Sequence, residues 1–321
     1  MRAVTLSSFG GPEVLEITEV PTPRPGEGEV LVRVVASGVN RADLLQRQGH
    51  YPPPKGESEI IGLEASGVVE AVGEGVDSVR EGDEVVALLA GGGYAEYVVV
   101  PAGQVISPPS GVSLQSAAGL IEVAATVVSN LDVARLQRGE TFLVHGGAGG
   151  IGSFAIQYAK ALGCTVAATA GAAGKLEYVR SLGADLAIDY HDDWVGVLRE
   201  NLGGADVILD IMGAKYLESN VSALKRGGRM VVIGLQGGVK GTLNLGALLA
   251  KSGTIAATSL RFRPAAEKAA ICARVRDEVW PRIESGEIRL PRETFVPCES
   301  VREAHEQLAS GDNIGKIVLV H

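Results

Sequence analysis

The sequence predicts an α/β protein of two domains, a partly open β-barrel of short strands and a doubly wound parallel sheet. Three observations predict it. The chain has 321 residues, more than a single core usually supports. Residues 1 to about 110 are valine-rich runs cut by glycine and proline. From about 120 to 260, short apolar runs alternate with helical patterns, as parallel strands with crossover helices do.

Taken in order, "EVLVRVVASGV", "ASGVVEAVG" and "YAEYVVVP" are the barrel strands, the last stopped by Pro101. "PTPRPGEGE" and "YPPPKGE" supply turns. The parallel strands are "TFLVHG", "TVAATAG", "LAIDY", "ADVILDIMG", "RMVVIGL" and "TIAATSL", apolar on both faces as buried parallel strands should be. Helices are expected at 151–162, 174–182, 193–202, 216–225 and 245–251. "EKAAICARVRDEVWPRIESG" is helical, and "IGKIVLVH" is a terminal strand that returns to the first domain. The expected domains are therefore 1–121 with 262–321, and 122–261.

Composition excludes some functions. A formal net charge of −9 opposes non-specific binding to nucleic acid or to an anionic membrane. No uncharged apolar run approaches the roughly 18 residues of a membrane span, and the start lacks the apolar core of a signal peptide. Cys164, Cys272 and Cys298 are far apart and form no disulfide framework, so a reduced cytoplasmic setting is expected.

The motif that carries chemistry is "FLVHGGAGGIGSFAIQYAKALG". Gly147, Gly149 and Gly152 satisfy G-x-G-x-x-G, with a strand before and a helix after. Ile151, Phe154, Ala155, Tyr158, Ala159 and Leu162 share one helical face. Glycines let the backbone approach a pyrophosphate, and the helix N-terminus offers free N–H groups, here from Gly150 and Ile151 onward. Other phosphate loops do not fit. "GAAGKL" lacks the Ser or Thr of a Walker loop, and "HGG" has no accompanying G-x-S-x-G nucleophile. His145 reads as a packed strand-end histidine.

An NAD site places Asp or Glu at the end of the second strand, on the ribose 2′-hydroxyl. Here Gly171 stands there, followed by Ala172, Ala173, Gly174 and Lys175. With no carboxylate and a lysine close by, a 2′-phosphate is favoured, so the expected cofactor is NADPH. Tyr190, after the third strand, is within reach of the same phosphate. The alternative for Lys175 is an ordinary solvated lysine, though a cation at a helix start opposes the dipole.

"NRADLLQRQGHYPPP" (40–54), "GLEASGVVEAVG" (62–73), the glycine loop and "NIGKIVL" (313–319) resemble the zeta-crystallin-type quinone oxidoreductases of the medium-chain dehydrogenase/reductase superfamily. The first and last are most similar to the tumour-suppressor-inducible branch in animals. The resemblance runs nearly end to end. It implies a GroES-like barrel domain plus a Rossmann domain, in agreement with the pattern above. Zinc alcohol dehydrogenases of that superfamily carry a catalytic Cys and a Gly-His-Glu motif. This chain has Ser37 and Asn40 in "ASGVNRAD" and Leu63 in "GLE", and its five histidines show no metal spacing. No zinc is expected, and Glu64 is not a ligand.

Without a Lewis acid, an acceptor that takes hydride readily is favoured, a quinone or an activated enone. The task becomes positioning, with donors to steady a developing oxyanion. The resemblance places Asn40 near the nicotinamide, with Asp43 nearby and Tyr51 offering a hydroxyl and a ring to a planar acceptor. The alternatives are a helix cap for Asp43 and packing for Tyr51. Thr126 matches a family threonine on the nicotinamide-ribose side; the alternative is a hydroxyl bonded to its own helix. Strand ends add Met212, Gly213, Gly234, Leu235, Ser259, Leu260 and Arg261, because ligands lie at the carboxyl ends of a doubly wound sheet. Asn313 precedes the last strand. The leading reading is an NADPH-dependent quinone oxidoreductase. Its rivals are a reductase of α,β-unsaturated carbonyls or enoyl thioesters, and a low-turnover NADPH-binding sensor or structural protein. "TIAATSL" at a sheet edge predicts a homodimer.

Overall fold

The computed structural model describes all residues, Met1–His321. In chain order, β1 (Arg2–Leu6) and β2 (Leu15–Glu19) form an antiparallel ribbon. Then come β3 (Glu29–Val39), α1 (Arg41–Arg47), β4 (Glu64–Val72), β5 (Glu84–Leu88), β6 (Tyr97–Pro101) and β7 (Val105–Ile106). Helices α2 (Leu114–Ala117) and α3 (Ile121–Val133) lead to β8 (Thr141–Val144), α4 (Gly150–Ala161), β9 (Thr165–Ala170), α5 (Ala173–Ser181) and β10 (Leu186–Asp189). Next are α6 (Trp194–Leu202), β11 (Ala205–Asp210), α7 (Leu217–Ala223), β12 (Leu224–Val232), α8 (Leu245–Lys251) and β13 (Thr254–Ala257). The chain ends with α9 (Ala265–Arg274), α10 (Trp280–Glu284), β14 (Glu293–Pro297), α11 (Val301–Ser310) and β15 (Lys316–Val320).

Two compact units result. The first comprises Met1–Ala125, Leu260–Gly286 and Leu290–His321; the second comprises Thr126–Ser259 with Glu287–Arg289.

The first unit holds a seven-stranded sheet in the order β14-β15-β3-β4-β5-β7, with β6 on β3. β3 is the pivot. Its register shifts at Leu31/Val32 and at Val34/Ala36, and such irregularities bend a strand. Bent in this way, β3 pairs with β4 along most of its length and with β6 and β15 in turn, at Glu29–Arg33 and Ala36–Val39. The terminal strand does return to this unit, Val39 facing Ile317. Val30, Val32, Ala65, Val85 and Val98 form one core, alternating inward as half-buried strands require. Val4, Leu44, Ile61, Tyr94 and Leu319 form a second. Full burial of each large apolar side chain contributes about 1.5–3 kcal/mol.

The second unit is a parallel six-stranded sheet in the order β10-β9-β8-β11-β12-β13. The reversal of order beside β8 makes the carboxyl end of that strand a topological switch point. All six apolar runs became strands. The helix expected at 216–225 is shorter, because Leu224 turns extended and pairs with Ala205 to begin β12. β13 lies at the sheet edge, and α8, which precedes it and packs on β12, has no buried residue, with Leu245 69% and Leu249 80% exposed.

One stretch, Leu114–Val133, is long and apolar enough by length and composition to cross a membrane, which the sequence reading did not pick out; 78% of its apolar window is buried in the fold.

Candidate active site

In the second unit, β8 runs into the glycine loop and α4 follows. Gly149 is the N-cap of α4 and caps with no side chain, leaving the first-turn N–H groups of Gly150 and Ile151 to the loop concavity. The glycines serve different needs. A Cβ on Gly152 would lie 2.3 Å from the Gly146 carbonyl oxygen and 2.6 Å from the Gly147 Cα, so this position seats the helix against the loop. A Cβ on Gly147 would press on Ala168 and Val179. At Gly149 the nearest atom to a Cβ is 3.6 Å away, so its smallness serves nothing inside the protein. An open glycine at a helix N-terminus is what a pyrophosphate requires.

The floor of this loop is a buried polar chain. His145 Nδ1 lies 3.0 Å from Thr169 Oγ1, and its Nε2 lies 2.8 Å from Asn220 Oδ1. The asparagine oxygen can only accept, so Nε2 carries the proton and Thr169 donates to Nδ1. Burial holds the imidazole below its usual range, and Trp194 and Tyr216 meet it edge-on. The Gly146 N–H donates to the same threonine oxygen.

At the end of β9, a Cβ on Gly171 would collide with the Tyr190 ring, at 2.3 Å from its hydroxyl oxygen. The carboxylate of an NAD site is thus absent, and Tyr190 covers the position, 43% exposed. Lys175 lies in the first turn of α5. At the end of β11, the N–H groups of Met212 and Gly213 are both held by the Asp210 carboxylate, at 2.9 Å each. Gly234 packs on Ile211, Leu235 is 48% exposed, and Ser259 follows β13. Thr126 is buried in α3. Its carbonyl accepts from Ser129 and Asn130.

In the first unit, a polar centre forms around α1. Asn40 is the N-cap of the helix: its carbonyl accepts from the Asp43 N–H, and the Asp43 side chain reaches back to the Asn40 N–H. Asp43 Oδ2 accepts from the Asn40 N–H at 2.7 Å and the Tyr94 hydroxyl at 2.9 Å. Its Oδ1 is buried without a partner. Burial lifts this carboxyl to about 6 and pushes the Tyr94 phenol well above its usual value. Behind it, His305 sits 3.4 Å from both Tyr94 and Arg47, and burial lowers it to about 3.

The Asn40 side chain meets a buried ion pair. Glu64 and Lys316 are 0% and 3% exposed and 2.5 Å apart. Asn40 Nδ2 donates to Glu64 Oε1 at 2.9 Å, and Lys316 Nζ donates to Asn40 Oδ1 at 2.6 Å. The Glu122 N–H donates to the other Glu64 oxygen at 2.9 Å. Burial, then the nearby Glu64 charge, raises the partly buried Glu122 to about 8. Asn313 turns on itself, donating to the Gly315 carbonyl.

Tyr51 is held by Arg261. The guanidinium donates to the carbonyls of Ala90 and Tyr51 and to Gln46 Oε1, and lies 5.1 Å over the Tyr51 ring. Phe262 meets that ring edge-on. Arg261 therefore spends three donors inside the first unit, next to the buried Leu260.

Sequence reasoning missed Lys316, Glu122 and Tyr94 as members of the centre, and named Glu64 only to reject it as a ligand. A lysine at the first position of an apolar terminal strand was the one available signal. Leu63 is buried, Ser37 is occupied with the Gly93 carbonyl and His321, and no three His, Cys, Asp or Glu side chains gather anywhere in a metal-binding group. The residues present do not fit a zinc.

Two family descriptions match the chain: the alcohol dehydrogenase GroES-like domain over residues 26–110, and zinc-binding dehydrogenase over 150–272. Quinone oxidoreductase 1 of Escherichia coli is 33% identical across 99% of this chain and 98% of its own. The crystal structure of E. coli quinone oxidoreductase complexed with NADPH superposes with a TM-score of 0.89 at 31% identity, over 100% of both chains. An NAD-dependent alcohol dehydrogenase gives 0.88 at 32%, also over 100% of both.

Proposed function

We infer the activity from a premise those relatives supply: the chain belongs to the quinone oxidoreductase family of the medium-chain dehydrogenases/reductases. The protein is an NADPH-dependent quinone oxidoreductase that needs no metal. The observation that carries the cofactor choice is Gly171 beside the Tyr190 ring, with no carboxylate at the position where an NAD site places one. The E. coli relative solved with NADPH supports it.

The α4 N-terminus and Gly149 hold the pyrophosphate, while Lys175 and Tyr190 take the 2′-phosphate. Bound NADPH supplies the hydride. Asn40 presents its amide to the reacting end, and Tyr51 offers its ring to a planar acceptor. Asp43 holds the Asn40 main chain, so it acts by positioning. The donor set around Leu63 and Glu64 supports metal-free chemistry, as a quinone needs little activation.

The working form is a homodimer built on the β13 edge and the apolar face of α8. Leu245 and Leu249 stand too exposed for a free surface. Its place is the cytoplasm, where three buried thiols stay reduced.

The test is steady-state turnover of a quinone, an enone and an aldehyde, each with NADPH and NADH. Turnover of the quinone with NADPH preferred is the expected result. Preference for the enone moves the protein to enone reduction. Tight NADPH binding with no hydride transfer to any acceptor makes it a sensor or structural protein.

A further inference from the structure

The Asn40 side chain is a carboxamide, and an amide can sit either way round unless its neighbours decide. Here the neighbours carry opposite charges. Lys316 has only hydrogens to give and meets Oδ1; the Glu64 carboxylate can only accept and meets Nδ2. A flipped amide would set its NH2 against the ammonium and its oxygen against the carboxylate. Both ions are buried, so little solvent screens that penalty. The second Nδ2 hydrogen points to the Gly38 carbonyl across 3.4 Å, too long for a strong bond. Of the four hydrogen-bonding positions on Asn40, this hydrogen is the donor most easily released to a ligand. A buried ion pair is also a poor way to stabilise a fold, since desolvation cancels much of the attraction. Its placement on a partly buried asparagine calls for a different reason.

We propose that Lys316 and Glu64 are positioning residues for the reaction: together they hold the Asn40 carboxamide in the one orientation that aims an N–H at the acceptor. This rests on the reading of Asn40 as the amide nearest the reacting atoms. Glu64 is itself anchored by the Glu122 N–H at the start of α3, and Lys316 by its place at the start of β15. The orientation is thus set by three elements distant in sequence.

The test separates orientation from stability. Lys316→Met leaves Glu64 buried without its cation, so both the melting temperature and kcat fall. The double variant Glu64→Gln with Lys316→Met removes both charges. The introduced glutamine amide can donate or accept, so it tolerates either orientation of the Asn40 amide. The double variant should regain most of the melting temperature while kcat stays at least about tenfold down, with the NADPH Kd unchanged. Recovery of kcat along with stability overturns the inference. Should both methionine variants fail to fold, Lys316→Arg keeps the cation and shifts it. A lowered kcat at an unchanged melting temperature then supports the inference, and an unchanged kcat overturns it. A wild type that reduces no acceptor ends the functional reading instead, so the two failures are told apart.

Discussion

The glycine loop and the Asn40 centre do comparable work with opposite construction. The loop is built from consecutive residues, 146–152, and its chemistry is backbone N–H groups and the absence of side chains. The centre is built from Asn40, Asp43, Glu64, Tyr94, Glu122 and Lys316, and its chemistry is side-chain charge in a buried place. The first fails when something is added. The second fails when something is taken away.

That contrast can be broken in graded ways. The largest effect belongs to Gly152→Val. Its first added carbon meets main-chain atoms of the loop, which cannot move aside, so a loss of about 3 kcal/mol or more is expected in denaturant titration, together with loss of NADPH binding. Gly149→Ala is the control. It should melt with the wild type yet bind NADPH more weakly by about tenfold in a fluorescence titration. Equal melting losses in the two variants would erase the distinction between the glycines. In the other region, Asn40→Leu should lower kcat about a hundredfold with little change in the NADPH Kd.

Smaller effects follow. Lys175→Ala should weaken NADPH relative to NADH by roughly tenfold; an unchanged ratio would leave the 2′-phosphate to Tyr190 alone. For pH, Glu122 stands at about 8 against an ordinary 4.5, so its folded form holds the proton more tightly than the unfolded chain. Stability from that source is full below pH 4.5 and is lost as pH rises through 8. His305 and His321, lowered to about 3 and 4, act in the opposite direction, but only up to their ordinary 6.5. Asp43 has titrated by about 6. Between pH 6.5 and 8 the melting temperature should therefore fall, and Glu122→Gln should flatten that slope. The smallest catalytic effect is expected of Leu249→Glu, which should shift light scattering from dimer to monomer while leaving kcat near that of the wild type.

Much of the fold was legible because local signals agreed. Six apolar runs gave six parallel strands, and the strand-loop-helix context of Gly147, Gly149 and Gly152 identified the loop. Gly171 and Tyr190 were each legible, but not that the tyrosine ring lies against the glycine, since they follow two strands that are neighbours only in the folded sheet. The polar centre was half visible. Asn40 and Asp43 stand three apart, a spacing a helix cap makes readable. Lys316 was not readable, because nothing in a sequence says which distant carboxylate a buried ammonium will meet. Arg261 shows the same limit: its place after the sixth strand suggested the cofactor, while its guanidinium is spent on Gln46, Tyr51 and Ala90.

The pairing of β15 with β3 has a consequence for how the protein is made. Val39 and Ile317 are separated by almost the whole chain, and the entire nucleotide-binding unit is synthesised between them. Contacts of such separation form late, after local ones have already closed. On the ribosome, the parallel sheet can be complete while β3 still lacks one neighbour and Glu64 still lacks its ammonium. On the proposed reading, the nascent chain therefore completes the loop that would hold the cofactor before the centre around Asn40 can close.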